Sequence, residues 1–128
     1  MFRFHTLVVI AALAGLAALA LASSAGAAAP TKLVGTVGPG FTITLKKTAR
    51  PVRLLTPGRY SITVADKSNI HNFHLMGPKG YSKVLSGIGY VGQKSYKGTT
   101  AIKLTPGKWR YVCDPHSLQM KGSFTVTR

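Results

Sequence analysis

Beyond residue 30 the chain never shows the three-to-four-residue spacing of an amphipathic helix; apolar side chains recur at every second position instead. Phe41-Thr42-Ile43-Thr44-Leu45, Tyr60-Ser61-Ile62-Thr63-Val64, Ala101-Ile102-Lys103-Leu104 and Phe124-Thr125-Val126 all alternate, as strands with one buried face do. Several such strands in a short chain predict an all-β domain whose antiparallel sheets are covered on one side and packed as a sandwich.

A short repeat marks two strand starts. Leu55-Thr56-Pro57-Gly58-Arg59-Tyr60 and Leu104-Thr105-Pro106-Gly107-Lys108-Trp109 each place Pro before Gly. That order suits a type II turn, Pro setting the first central position and Gly accepting the positive φ of the second. Strands are therefore expected from Arg59 to about Ala65 and from Lys108 to Cys113. On the latter, Trp109, Tyr111 and Cys113 share a face. Between them, residues 77–98 are broken by Gly77, Gly80, Gly87, Gly89, Gly92 and Gly98. This predicts a long irregular connection with one short strand near Ser95-Tyr96. The glycines are no nucleotide-binding fingerprint, since no strand-then-helix context surrounds them.

The first residues read differently. Met1-Phe2-Arg3-Phe4-His5 opens an uncharged run of Ala, Leu and Val from Thr6 to Ala22, closed by Ser23-Ser24-Ala25-Gly26-Ala27-Ala28-Ala29. A basic start, an apolar stretch and an Ala-x-Ala exit make residues 1–27 a secretory signal, with Ala25 and Ala29 as alternative exits. An uncleaved membrane anchor is the other reading, because the apolar part is only slightly shorter than a bilayer span. Residues 28–128 then form one domain with a single modest core.

Cys113-Asp114-Pro115-His116-Ser117-Leu118-Gln119-Met120 holds the only cysteine, a histidine and a methionine within eight residues. Upstream, Asn69-Ile70-His71-Asn72-Phe73-His74 adds further imidazoles. Parity sorts these two: His71, Phe73 and Leu75 share one strand face, and Asn72, His74 and Met76 share the other. If Phe73 and Leu75 face the core, His71 points inward and His74 points outward or supports a ligand. Two His and one Cys with a weakly held Met is the donor set of a type 1 copper site. Zinc also accepts Cys and His and is a competitor in vitro. Export adds an independent argument, because an unpaired thiol in an oxidising compartment is a liability unless a metal occupies it.

Charge narrows the surroundings. After residue 27, sixteen Lys and Arg face only Asp66 and Asp114, a net charge of +14. Such a surface suits an acidic protein partner or an anionic membrane or wall, or serves only solubility. Nucleic acid is not expected, because the chain carries no recognition helix, zinc finger or RNP-like aromatic motif.

Together, Asp66-Lys67-Ser68-Asn69-Ile70-His71-Asn72-Phe73-His74-Leu75 and the later Tyr111-Val112-Cys113-Asp114-Pro115-His116 with Met120-Lys121-Gly122 resemble the small blue copper proteins, the cupredoxins. The His-Asn-x-His segment and short Cys-x-x-His loop are most similar to those of amicyanins and plastocyanins. The resemblance implies an eight-stranded Greek-key β-sandwich with one copper at one end, carrying single electrons between a redox donor and acceptor. It implies His71, Cys113 and His116 as equatorial ligands, Met120 as the axial one, Asn72 as the tie between ligand loops, and His116 as the electron port. The expected role is that of a monomeric carrier rather than an enzyme. Copper delivery with the same ligands, and a basic surface module with a vestigial site, are the alternatives.

Overall fold

The computed structural model describes residues 26–128. The expected signal segment therefore lies, through residue 25, outside the described residues. Among the described residues eleven strands follow one another: β1 (Thr31–Val37), β2 (Ile43–Lys47), β3 (Arg50–Pro51), β4 (Leu54–Leu55), β5 (Gly58–Asp66), β6 (Phe73–Met76), β7 (Ser82–Ser86), β8 (Gly92–Tyr96), β9 (Ile102–Leu104), β10 (Gly107–Val112) and β11 (Lys121–Val126). Helical structure among the described residues is confined to short 3-10 turns, Asp114–His116 being the one that matters below. No helix among them is long and apolar enough to cross a membrane.

Two sheets form a sandwich. One runs β3-β2-β1-β5-β8, with β9 beside the start of β5; the other runs β4-β11-β10-β6-β7. The alternating positions meet between them. Leu33, Val37, Leu45, Tyr60, Ile62, Val64, Ile102 and Leu104 from the first sheet and Phe73, Leu75, Trp109, Tyr111, Phe124 and Val126 from the second are all buried in one core. Each large apolar side chain so buried contributes roughly 1.5–3 kcal/mol relative to exposure.

Pairing departs from the antiparallel expectation at two places. β1 runs parallel to β5, from Thr31 opposite Tyr60 to Val37 opposite Asp66, and β4 runs parallel to β11. Alternation reports which face is buried and is blind to strand direction, so the sequence held no signal for either pair. The consequence is functional: the chain leaves β1 and β5 at the same end of the sandwich.

The segment 77–98 also differs from expectation, holding two strands where one was foreseen. β7 is an edge of the second sheet and β8 an edge of the first. The Tyr96 hydroxyl donates to the Leu85 carbonyl at 2.9 Å and joins these edges. Their Gly and Lys content masks the strand signal and fits edge strands, where lysines discourage pairing with other chains. The strand expected to start at Phe41 starts at Ile43, because Gly38 and Gly40, with φ of +68° and +71°, turn the preceding chain.

Both Pro-Gly repeats open a strand, and their aromatic residue explains the repetition. The Tyr60 hydroxyl donates to the Thr56 carbonyl at 2.6 Å, and the Trp109 indole N–H donates to the Thr105 carbonyl at 2.8 Å. The glycine φ values, +150° and +131°, are more extended than in a type II turn. The aromatic side chain, reaching back from the strand, satisfies the carbonyl ahead of the proline.

Trp109 lies 4.9 Å from the Tyr81 ring and stacks on Phe124 at 6.2 Å, while its ring covers Gly77. A Cβ at residue 77 would stand 2.6 Å from the indole carbons. Gly77→Ala is therefore expected to cost about 1–3 kcal/mol of stability by overpacking. Chemical denaturation would measure it, and an unchanged midpoint would show that the indole moves aside freely.

Candidate metal centre

Three loops meet at the end of the sandwich where β1 and β5 terminate. Residues 38–42 follow β1, residues 67–72 follow β5 and carry His71, and residues 113–120 join β10 to β11. The last loop closes on itself. Cys113 N–H donates to the Met120 carbonyl at 3.0 Å, His116 N–H to the Cys113 carbonyl at 3.1 Å, and Met120 N–H to the His116 carbonyl at 2.8 Å. Pro115 lies inside the 3-10 turn Asp114–His116, where its missing N–H costs no bond. The turn carries His116 back over the thiol.

His71 Nδ1 and His116 Nδ1 stand 3.0 Å apart, and Cys113 Sγ is 3.6 Å from each. A point equidistant from these atoms lies about 2.0 Å from each. A small displacement from it satisfies metal–imidazole bonds of roughly 2.0–2.1 Å and a metal–thiolate bond of roughly 2.3 Å, as typified by zinc. His71, Cys113 and His116 thus fit a copper site, with two imidazoles and a thiolate in a trigonal set.

Burial is graded across the cluster. Cys113 is fully buried and His71 nearly so, whereas His116 is half-buried. Met120 is fully buried and packs in the same core cluster as Cys113. His71 is buried with Phe73 and Leu75, and His74 lies on the opposite face of β6, as parity foresaw; Asn72, grouped by parity with His74, precedes the strand and is buried as well.

Hydrogen bonds set the ring orientations. His71 Nε2 lies 2.7 Å from the Gly40 carbonyl, which can only accept, so Nε2–H donates and Nδ1 presents its lone pair to the cluster. Phe41, the next residue, meets both imidazoles edge-on, with centroids 5.4 Å from His71 and 4.9 Å from His116. Gly40 carried no readable signal in sequence, and Phe41, which alternation assigned to the buried face of a strand, is instead exposed ahead of β2. They reach the site only because β1 and β5 are parallel.

Asn72 joins the ligand loops. Its Oδ1 accepts the Asp114 N–H at 2.7 Å, and its Nδ2 donates to Asp114 Oδ2 at 2.7 Å. His74 Nδ1 donates to the same carboxylate at 2.9 and 3.0 Å, and its Nε2 lies 2.7 Å from Ser82 Oγ. Burial alone would raise the Asp114 pKa. The hydrogen bonds from His74 and Asn72, with the charge of His74, outweigh it and hold the carboxyl below its ordinary value. Such a group stabilises the fold above its unfolded-state pKa and loses that contribution as pH falls through the folded value.

Comparison with solved structures bears on the fold. Reduced rusticyanin superposes with a TM-score of 0.53 and 22% identity, over 75% of this chain and 78% of rusticyanin. Rusticyanin from Thiobacillus ferrooxidans gives 0.53 and 20%, over 75% and 76%; rusticyanin is described as a copper protein. A Cu(I) amicyanin variant superposes at 0.45 with 16% identity, over 75% and 82% of the two chains. No family model matches the chain, and no curated protein matches it in sequence. The fold is cupredoxin-like, and the copper chemistry rests on the donor geometry of the chain itself.

Proposed function

We propose that this chain is an exported type 1 copper protein that carries single electrons between redox partners. The carrying observation is the triangle of His71 Nδ1, His116 Nδ1 and Cys113 Sγ, with sides of 3.0, 3.6 and 3.6 Å. His71, Cys113 and His116 would hold the metal, and Met120, buried in the same core cluster as Cys113, would supply a weak thioether donor. Bound copper supplies a one-electron couple between Cu(I) and Cu(II), and a trigonal donor set suits both states.

The chain's own residues make such a couple usable. Gly40 and the Asn72–Asp114 pair hold the ligands in place, limiting rearrangement when the charge changes. Buried Cys113 and His71 keep water from the thiolate, while half-buried His116 offers the shortest route to the surface. Around it the same loops expose Phe41, Ile70 and Leu118, an apolar rim on which a partner can seat closely. The signal-like residues 1–27 support export. Reversible one-electron voltammetry over many cycles, with copper content unchanged, is the expected result. Loss of metal on each reduction would favour copper delivery instead.

The partner, or the surface on which the protein works, is expected to be acidic. Among the described residues no Lys or Arg is paired with a carboxylate, and the single ion pair joins His74 to Asp114. Lys83 and Lys94 lie on the adjoining edge strands β7 and β8, over the rings of Tyr96 and Tyr90. Transfer to an authentic partner should slow steeply as salt rises, since the Debye length is about 10 Å near 0.1 M ionic strength. Neutralising Lys79, Lys83, Lys94 and Lys97 should flatten that dependence. A second-order rate indifferent to salt would assign the charge to solubility.

A further inference from the structure

Asp114 is the one acidic side chain at the surface among the described residues. Asp66, the other, is buried and accepts bonds from the Ser68 N–H and the Ser86 hydroxyl. Asp114 follows Cys113 directly, so the sole exposed acidic side chain among the described residues of a strongly cationic domain stands one residue from the thiol. It is also fully engaged. Asn72 meets it at two points, backbone N–H and carboxylate, and His74 spans both carboxylate oxygens. His74 is itself held at both ring nitrogens, by Asp114 and by Ser82 of β7. Its strand position pairs with Val112, the residue before Cys113. A chain of side chains thus runs from the sheet edge through His74 and Asp114 to Asn72, touching the neighbours of two of the three clustered donors.

We propose that His74 is a positioning residue of the metal centre: by holding Asp114 it locks the Asn72–Asp114 clasp, tempers the carboxylate beside the thiol, and so sets the balance between Cu(I) and Cu(II). The proposal rests on the copper reading above. A carboxylate near the metal favours the more highly charged oxidised state. Hydrogen bonds from His74 draw on that negative charge and fix where it points. Without His74, the carboxylate is freer and more negative toward the site. The clasp that spaces His71 from Cys113 then loses one of its supports.

The test compares wild type, His74→Ala, His74→Asn, Asp114→Asn and the double variant His74→Ala/Asp114→Asn. His74→Ala should keep the charge-transfer band but shift the relative affinity toward Cu(II), on the order of threefold to tenfold, tenfold being 59 mV for one electron. Asp114→Asn should shift it the other way. In the Asp114→Asn background, His74→Ala should have almost no further effect. His74→Asn, whose amide nitrogen can take the place of Nδ1, should restore most of the wild-type value. In metal-free protein, hydrogen exchange of the Asp114 amide should quicken at least about tenfold in His74→Ala and recover in His74→Asn, with the Tyr111 amide unchanged. Equal shifts from His74→Ala with and without Asp114, or an unaltered Asp114 amide, would overturn the proposal. A wild-type protein that takes up no copper would defeat the functional reading instead, and the exchange measurement would still decide the clasp.

Discussion

Loaded with one equivalent of Cu(II), the domain is expected to turn intensely blue, from charge transfer between the Cys113 thiolate and the metal, and to bleach reversibly on reduction. The expectation follows from a fully buried sulfur 3.6 Å from two imidazole nitrogens. A buried thiolate is costly unless a cation neutralises it, so metal binding and deprotonation are coupled. Cys113→Ser should abolish the band completely, since a hydroxyl supplies neither the charge nor the soft donor. The fold should survive, because Ser differs from Cys by one atom and leaves in place the large side chains that pack the sheets, Leu33, Ile62 and Val64 on one and Phe73, Leu75, Trp109 and Phe124 on the other. Absorption and circular dichroism spectra together check both halves. A wild-type domain that stays colourless with stoichiometric Cu(II) would sink the reading.

Substituting the two upstream histidines should have opposite consequences, although they lie three residues apart. His71→Ala removes one corner of the triangle and leaves a space bounded by the Gly40 carbonyl, Phe41 and His116. The blue band should disappear, and added imidazole should restore at least part of it by entering that space. His74→Ala should keep the band, because His74 contacts Asp114 and Ser82 and none of the clustered donors. Titration of each variant with Cu(II), with and without imidazole, measures the difference. Loss of the band in His74→Ala with retention in His71→Ala would mean that β6 pairs one residue out of register, since such a slip exchanges the two faces.

Much of the candidate site was legible in residues 71 and 113–120. Cys113, His116 and Met120 lie within one short loop, so proximity was guaranteed by chain length. The inward direction of His71 was expected from parity with Phe73 and Leu75, and it holds although His71 lies in the loop before β6; the same parity missed the burial of Asn72. His74 was separable from His71 by that parity. Its bonds to Asp114 and Ser82 were not, because they cross between β6, β7 and the loop after β10. The Gly-rich segment 77–98 disclosed β8 near Ser95-Tyr96 but concealed β7, since an edge strand with few buried positions lacks the alternation that reveals central ones.

The amino-acid sequence by itself determined an all-β domain with alternating burial, two strand starts at the Pro-Gly repeats, and a Cys-His-Met loop with one inward histidine. Each of these depends on residues close together in the chain, where side-chain direction is set by a period of two. Only the tertiary structure decided that β1 lies parallel to β5, and with it that Gly40 and Phe41 reach His71 and His116. It also decided that Asn72, Asp114 and His74 close into one network. Strand direction and partner choice arise from burying the two apolar faces against each other, a condition on the whole chain that no local pattern records.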